Sequence, residues 1–358
     1  MSSSIEIYAG QTARKKILEQ GFDSALFDVM AGASGGPKWF TLFGLDKYLF
    51  GEFFAQRQNP LHTIGSSAGS WRMACLAQKD PLRAIETLAH LYSHTVYSNK
   101  PDVHEISDKA EELLKEVLGD SGAKEIANNP IIQSHFIVAK AKGLNQSENK
   151  AVQLLGLITA ATANSLSRNH IKHFFERYIF HVQNSSFEQS FFQFDDLPTK
   201  YEPLTAERVH HTLMASGSIP LVLRGIQSIP DAPKGVYRDG GIVDYHLDLK
   251  FNNKGLVLYP HFFPTIKPGW FDKGLKSRNA SVDNYDNVVV ITPSRSHVKS
   301  LPYQKISDRK DFEVLDADSR IKYWQTVLDE SHRMADDFQA LVEKNQGIDR
   351  IIEIESIL

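Results

Sequence analysis

Cysteine is almost absent from this chain. Its 358 residues include one, Cys75, so no disulfide forms within the chain, and a disulfide-stapled scaffold is excluded. A lone thiol suits a reducing compartment, and the expected location is the cytoplasm. Long apolar runs are also missing. No stretch approaches the ~18 consecutive apolar residues of a membrane span. The opening MSSSIEIYAGQTARKK lacks the apolar centre of a secretory signal. Neither sign of charge is in excess: 40 basic residues against 43 acidic ones leave a net charge of −3. That removes the global electrostatic case for a nucleic-acid partner. Internal repeats and low-complexity tracts are lacking as well, which sets aside repeat architectures.

What remains is an ordinary globular composition. Hydrophobic residues make up 42% of the chain and charged residues 23%, enough at this length for a large buried core. Residues 11–20 read as a short helix, 24–30 as a buried strand and 31–36 as a glycine-rich loop. Pro37 opens a predicted helix over 37–54, where its missing N–H costs nothing. Residues 61–66 read as the next strand and 68–78 as the next helix. Two βα units in succession imply a parallel sheet covered by helices. Further on, 81–128 and 151–176 are helical in pattern, and 131–139 and 178–182 read as strands. Residues 207–216 read as a helix stopped by Gly217, and 235–239 as a short extended segment. The runs 255–259 and 287–292 are strands of the fully buried type. Trp324, Val327, Leu328, Ala335, Phe338, Leu341 and Val342 recur at helical spacing. No linker interrupts the chain. The expectation is one domain over 1–358, with a motif-bearing core at about 24–245, a helical insertion at about 81–176 and a C-terminal helix at about 311–346.

Three stretches carry chemistry. The first is Gly65-Ser66-Ser67-Ala68-Gly69, a G-x-S-x-G pentapeptide between a predicted strand and a predicted helix. In that setting a serine stands proud of the sheet in a sharp turn, and the small residues two before and two after let strand and helix close on it. A carbonyl under attack by Ser67 then sits by a helix N-terminus, where N–H groups favour negative charge. The bland alternative is a Gly/Ser-rich turn without chemistry.

The second stretch is Gly32-Ala33-Ser34-Gly35-Gly36-Pro37-Lys38. It misses the phosphate-loop pattern, because Lys38 follows Pro37 and Trp39 stands where Ser or Thr belongs. The N–H groups of Gly35 and Gly36, with Ala68 as a third candidate, could instead receive the oxyanion of acyl transfer. A plain βα turn is the alternative. Lys38 either orients the loop, meets an anionic head group or is simply solvated. The third stretch is Asp239-Gly240-Gly241. It reads as a hairpin turn, or as a carboxylate held beside Ser67 as its base. An unperturbed aspartate, with a pKa of about 3.9, matches a serine proton poorly, so the second reading needs a partly dry site and a short Asp–Ser hydrogen bond.

Taken in this order, the three stretches resemble those of the patatin-like phospholipase family: a glycine-rich oxyanion loop, a G-x-S-x-G nucleophile and a D-G-[GA] aspartate. Ala215-Ser216-Gly217-Ser218-Ile219-Pro220 is similar to that family's small-residue helix end. The chain departs from the family's G-G-G-x-R-G loop at Ser34, Lys38 and Trp39. Lys for Arg removes a planar five-donor fork. The resemblance spans roughly residues 24–245 and implies an α/β fold, a three-layer α/β/α sandwich with a mainly parallel sheet. It also implies a Ser67–Asp239 dyad, an acyl-enzyme, a lipid ester substrate and no metal or cofactor.

Two rival readings remain. One is a Ser-His-Asp hydrolase, an esterase or thioesterase, with His246 or His261 as the base. The other is a catalytically silent lipid-binding protein on the same scaffold. A further expectation concerns 261–278, where Phe262, Phe263, Trp270 and Phe271 mix with Lys267, Lys273, Lys276 and Arg278. Aromatics and cations together suit a peripheral membrane contact. The alternative is a small satellite cluster under a long loop.

Overall fold

The structure is a computed structural model and describes residues 3–183 and 188–358. Its strands, in chain order, are β1 (Ile5–Ala9), β2 (Phe27–Gly32), β3 (Leu61–Ser66), β4 (Ile132–Ala141), β5 (Phe175–His181) and β6 (Phe192–Gln193). They continue with β7 (Thr199–Pro203), β8 (Tyr237–Asp239), β9 (Lys250–Phe251), β10 (Leu256–Pro260), β11 (Val288–Pro293) and β12 (Ile352–Glu353). Every position of β3, β10 and β11 is buried, as expected of central strands covered on both faces.

These strands form a ten-stranded sheet in the order β12-β1-β11-β10-β2-β3-β4-β5-β7, with β8 attached to β4, while β6 and β9 make a separate ribbon. From β11 through β10, β2 and β3 to β4 every pair is parallel. β1 meets β11, and both β5 and β8 meet β4, in the antiparallel sense. The sheet is thus mainly parallel, with helices on both sides.

The helices are α1 (Gln11–Gln20), α2 (Phe43–Tyr48), α3 (Ala68–Leu76), α4 (Pro81–His94), α5 (Val103–Leu118) and α6 (Gly122–Ala127). After them come α7 (Lys150–Leu166), α8 (Ala206–Ser216), α9 (Arg295–Ser300), α10 (Asp311–Val314), α11 (Ala317–Glu330) and α12 (His332–Lys344). Short polar side chains set several starts: Asp80, Asp102, Asn149 and Asp316 accept first-turn N–H groups of α4, α5, α7 and α11. The long C-terminal helix is α11 and α12 end to end. They part at Ser331, whose hydroxyl donates to the Leu328 carbonyl and accepts the Gly44 N–H of α2 at 2.8 Å.

Several boundaries differ from the sequence reading. Residues 24–26 form a 3₁₀ turn, because Asp23 accepts the Ala25 N–H at 2.8 Å, and the strand starts at Phe27. The segment from Gly36 to Phe53 is helical but changes its winding twice, from 3₁₀ through α2 to a π turn. Gly36, at φ 55°, starts this segment outside the right-handed helical region. The stretch read as helical to 176 ends as α-helix at Leu166, and Phe175 already belongs to β5. β4, at the strand expected over 131–139, separates the two helical parts of the 81–176 region and lies inside the main sheet. β1, β7 and β12 had no counterpart in the sequence reading. They are short or amphipathic strands at the two ends of the sheet.

Candidate active site

Strand register brings the chemistry-bearing residues together. β2 and β3 are parallel neighbours, so the loop after β2 and the turn after β3 leave the same edge of the sheet, where ligands of open α/β sheets bind. β3 pairs with β4 as far as Ser66 opposite Ile137. β5 occupies the other side of β4. β8, which sets Asp239 opposite Val138, therefore continues the track of β3 from the reverse direction. Ser67 and Asp239 meet end to end. The Ser67 hydroxyl donates to Asp239 Oδ2 at 2.8 Å, and both residues are buried.

Ser67 is held at φ 53° and ψ −126°, a conformation that costs a residue with a Cβ of order 1–3 kcal/mol. Its surroundings over-determine it. The Ser67 N–H donates to Ser216 Oγ at 2.9 Å, and the Ser216 hydroxyl donates in turn to the Ile137 carbonyl at 2.7 Å. On either side, Ser66 Oγ donates to the Asp244 carbonyl at 2.5 Å and Ser70 Oγ to the Gly65 carbonyl at 2.7 Å. The glycine spacing has a steric cause. A Cβ on Gly69 would lie 2.0 Å from the Gly32 carbonyl oxygen, and one on Gly65 would lie 2.7 Å from the Gly69 carbonyl carbon. β2, β3 and α3 cross where only hydrogen fits.

Asp239 is not part of a hairpin turn. The chain enters a 3₁₀ turn over Gly240–Ile242, and Asp239 Oδ1 accepts the Gly241 N–H at 2.7 Å. Gly240 packs on the Ile137 carbonyl and Gly241 on the Ser34 hydroxyl, each too closely for a side chain. Burial pushes the Asp239 carboxyl up to about 6. The hydrogen bonds from Ser67 and Gly241 and the positive charges of Arg309 and Lys273 oppose that rise without cancelling it.

The loop after β2 lies against the same turn. Ser34 donates its N–H to the Tyr245 carbonyl at 3.0 Å, and Gly35 faces the Phe262 ring where a Cβ would come within 2.5 Å. Among the described residues, the N–H groups of Gly35, Gly36 and Ala68 donate to no protein acceptor. Lys38 is ion-paired with Asp308, and the Ser307 hydroxyl donates to the Pro37 carbonyl at 2.6 Å, which anchors the loop from outside.

His246 and His261 bond neither Ser67 nor Asp239. His246 Nδ1 accepts the Lys267 N–H at 2.9 Å, and His261 Nδ1 lies 2.6 Å from the Phe263 carbonyl. Burial pushes both imidazoles down, His261 to about 3. The 261–278 loop turns most of its aromatics inward. Phe262 is fully buried, Trp270 and Phe271 pack on the core, and Phe263 alone of the four is exposed. Its Lys267 is also engaged, donating to the carbonyls of Leu275 and Arg278. Phe262 thus belongs to the main core, where it packs against Gly35.

Some residues that shape the site escaped the sequence reading. Ser216 was visible only as part of a small-residue helix end, and nothing in that pattern assigned its hydroxyl to Ser67. Arg177 grips Asp244 through two bonds of 2.6 and 2.8 Å and reaches Asp196 at 2.9 Å. It thereby fixes the segment that follows Asp239. Arg177 borders an apolar run in the sequence and is fully buried in β5, and no spacing in the chain pairs it with Asp244.

Such an arrangement, a strained hydroxyl on a strand-to-helix turn, a buried carboxylate in contact with it and unengaged N–H donors nearby, is suited to acyl transfer. Comparison of the sequence with protein-family models and with curated proteins finds no match. Among solved structures the chain is similar to human GIVD cytosolic phospholipase A2, at 12% identity over 94% of this chain with a TM-score of 0.40. It is also similar to VipD from Legionella pneumophila, at 12% identity over 72% of this chain with a TM-score of 0.31. The chain spans 62% of the first protein's length and 53% of the second's.

Proposed function

We propose that the protein is a patatin-like serine hydrolase that cleaves lipid carboxyl esters with a Ser67–Asp239 dyad. Ser67 Oγ attacks the ester carbonyl while its proton passes to Asp239 Oδ2. The N–H groups of Gly35, Gly36 and Ala68 receive the tetrahedral oxyanion. Collapse expels the alcohol, which takes the proton from Asp239 and leaves the acyl group on Ser67. Water then attacks this acyl-enzyme, giving one proton to Asp239. The second collapse returns that proton to Ser67 Oγ and frees the fatty acid.

The observation that carries the reading is the direct 2.8 Å contact between Ser67 Oγ and a buried Asp239. A triad would interpose an imidazole there, and both candidate histidines are engaged elsewhere. A carboxyl raised to about 6 is better matched to proton acceptance near neutrality than an ordinary aspartate.

A fluorophosphonate probe, together with acyl release from phosphoglycerolipids, acylglycerols and short p-nitrophenyl esters, tests the proposal. The wild type is expected to label and to turn over, and Ser67→Ala to do neither. Failure of the wild type to label with or without lipid, or labelling that survives in Ser67→Ala, would overturn it.

A further inference from the structure

α7 is built inside out. A surface helix usually buries its apolar stripe and shows charge to solvent, as α5 does with Leu113, Leu114, Val117 and Leu118 turned inward. In α7 the buried positions include Gln153, Gly156, Ala160 and Asn164. Its exposed positions include Leu154 at 47%, Leu155 at 54%, Ile158 at 53% and Leu166 at 79%. Leu144 on the preceding turn and Val152 extend the same exposed set. Lys150, at the first position, is the helix's one charged residue.

The inward polar residues are engaged, so the orientation is fixed. Gln153 Oε1 accepts the Leu221 N–H at 2.6 Å, and Asn164 Nδ2 donates to Asp272 Oδ1 at 2.7 Å. Both partners lie on segments that touch Asp239 or the turn after it: the Ser218 carbonyl accepts the Asp239 N–H at 3.0 Å, and the turn at Trp270–Asp272 packs on Gly240–Ile242. Leu221 lies on the segment that runs from Ser216 to β8, and Asp272 is followed by Lys273, whose charge acts on Asp239. α7 therefore bridges the two segments that flank the Ser67–Asp239 contact.

Charge narrows the occupant. From 149 to 175 the sequence has no acidic residue, while Lys150 and Lys172 are exposed there, and the flanking Glu148 and Glu176 are ion-paired with Arg238 and Lys142. Pairing with a second copy would set bases against bases, which disfavours it. An anionic lipid surface meets both features at once, accepting the leucines below the head groups and the cations among them. With 17 residues, α7 is about 25 Å long. No helix among the described residues is long and apolar enough to cross a membrane, so a lipid surface would receive α7 along its length.

We propose that α7 is a docking helix that seats its outward leucine face in an anionic lipid surface beside the dyad. What it delivers rests on the lipid-hydrolase reading, whereas the docking itself does not. Co-sedimentation of the full chain with phosphatidylglycerol–phosphatidylcholine vesicles tests it. Leu155→Ser/Ile158→Ser should weaken partitioning by roughly tenfold or more. Leu18→Ser, at a comparably exposed leucine of α1, should not, and binding to phosphatidylcholine alone should be weaker. Turnover of a short soluble p-nitrophenyl ester should be equal in all three proteins, which establishes that the variants are folded. Wild-type binding by the double variant would overturn the proposal. So would a dimer that the double variant dissolves while vesicle binding stays unchanged. Absent turnover of soluble ester by the wild type, alongside binding that depends on α7, would sink the hydrolase reading and uphold the docking helix.

Discussion

Asp239 keeps a charge where burial disfavours one. Its carboxyl stands at about 6 in the folded protein, against about 3.9 for an unperturbed aspartate. Between these values the folded chain holds a proton that the unfolded chain has lost, so stability falls as pH rises through the window and the penalty is complete at neutral pH. The shift corresponds to roughly 2–3 kcal/mol. Asp239→Asn should abolish turnover. By urea denaturation near pH 7 it should also be more stable than the wild type by about that amount, with the gap closing below about pH 4. A variant less stable at neutral pH would mean that the hydrogen bonds to the carboxylate outweigh its burial. Ser67 labelling by a fluorophosphonate should slow as pH falls through about 6, because a protonated Asp239 accepts nothing. At this scale the sequence identified the pair through G-x-S-x-G and D-G-G, since each motif is a local steric solution. Ser216 and Arg177 were not legible, because their partners lie on other strands and no spacing in the chain encodes the contact.

Among the elements, α3 matters most, because it carries Ser67 at its start and crosses β2 and β3 at glycine. Its far side is tied to α2 by Arg72, whose Nε and Nη2 donate to Asp46 at 2.7 and 2.6 Å with both side chains fully buried. Burial raises the Asp46 carboxyl against the pull of Arg72, so the pair is costly to split. Arg72→Met should destabilise the fold by about 3–5 kcal/mol through the charge left behind, and Asp46→Leu/Arg72→Met should recover most of that. Urea midpoints for the single and double variants measure it, and a double variant as weak as the sum of the singles would contradict it. The βα units and buried central strands were readable from apolar runs, because a fully covered parallel strand has no polar side. Two other features were not. The changes of winding between Gly36 and Phe53 leave no separate period in the apolar pattern. The outward face of α7 was hidden because a 3.6-residue apolar period reads the same whether the stripe points in or out.

Across the whole molecule, the single thiol reports on how the parts hold together. Cys75 is fully buried on α3, and burial pushes its thiol up, away from thiolate. A water-soluble disulfide reagent should leave the native protein untouched and react fully in denaturant, with a rate in between that follows global opening. Rapid reaction in native buffer would instead show that α3 breathes independently of the sheet. The reversed run of β8 has a different consequence. The serine and the carboxylate it meets are 172 residues apart in sequence, and their encounter awaits a strand laid down backwards against β4 long after β3 is in place. On the ribosome, an emerging chain exposes its alcohol well before the group that would activate it. On the proposed dyad, hydrolytic competence arises only once synthesis has passed Asp239 and the sheet has closed, so unfinished copies lack the base.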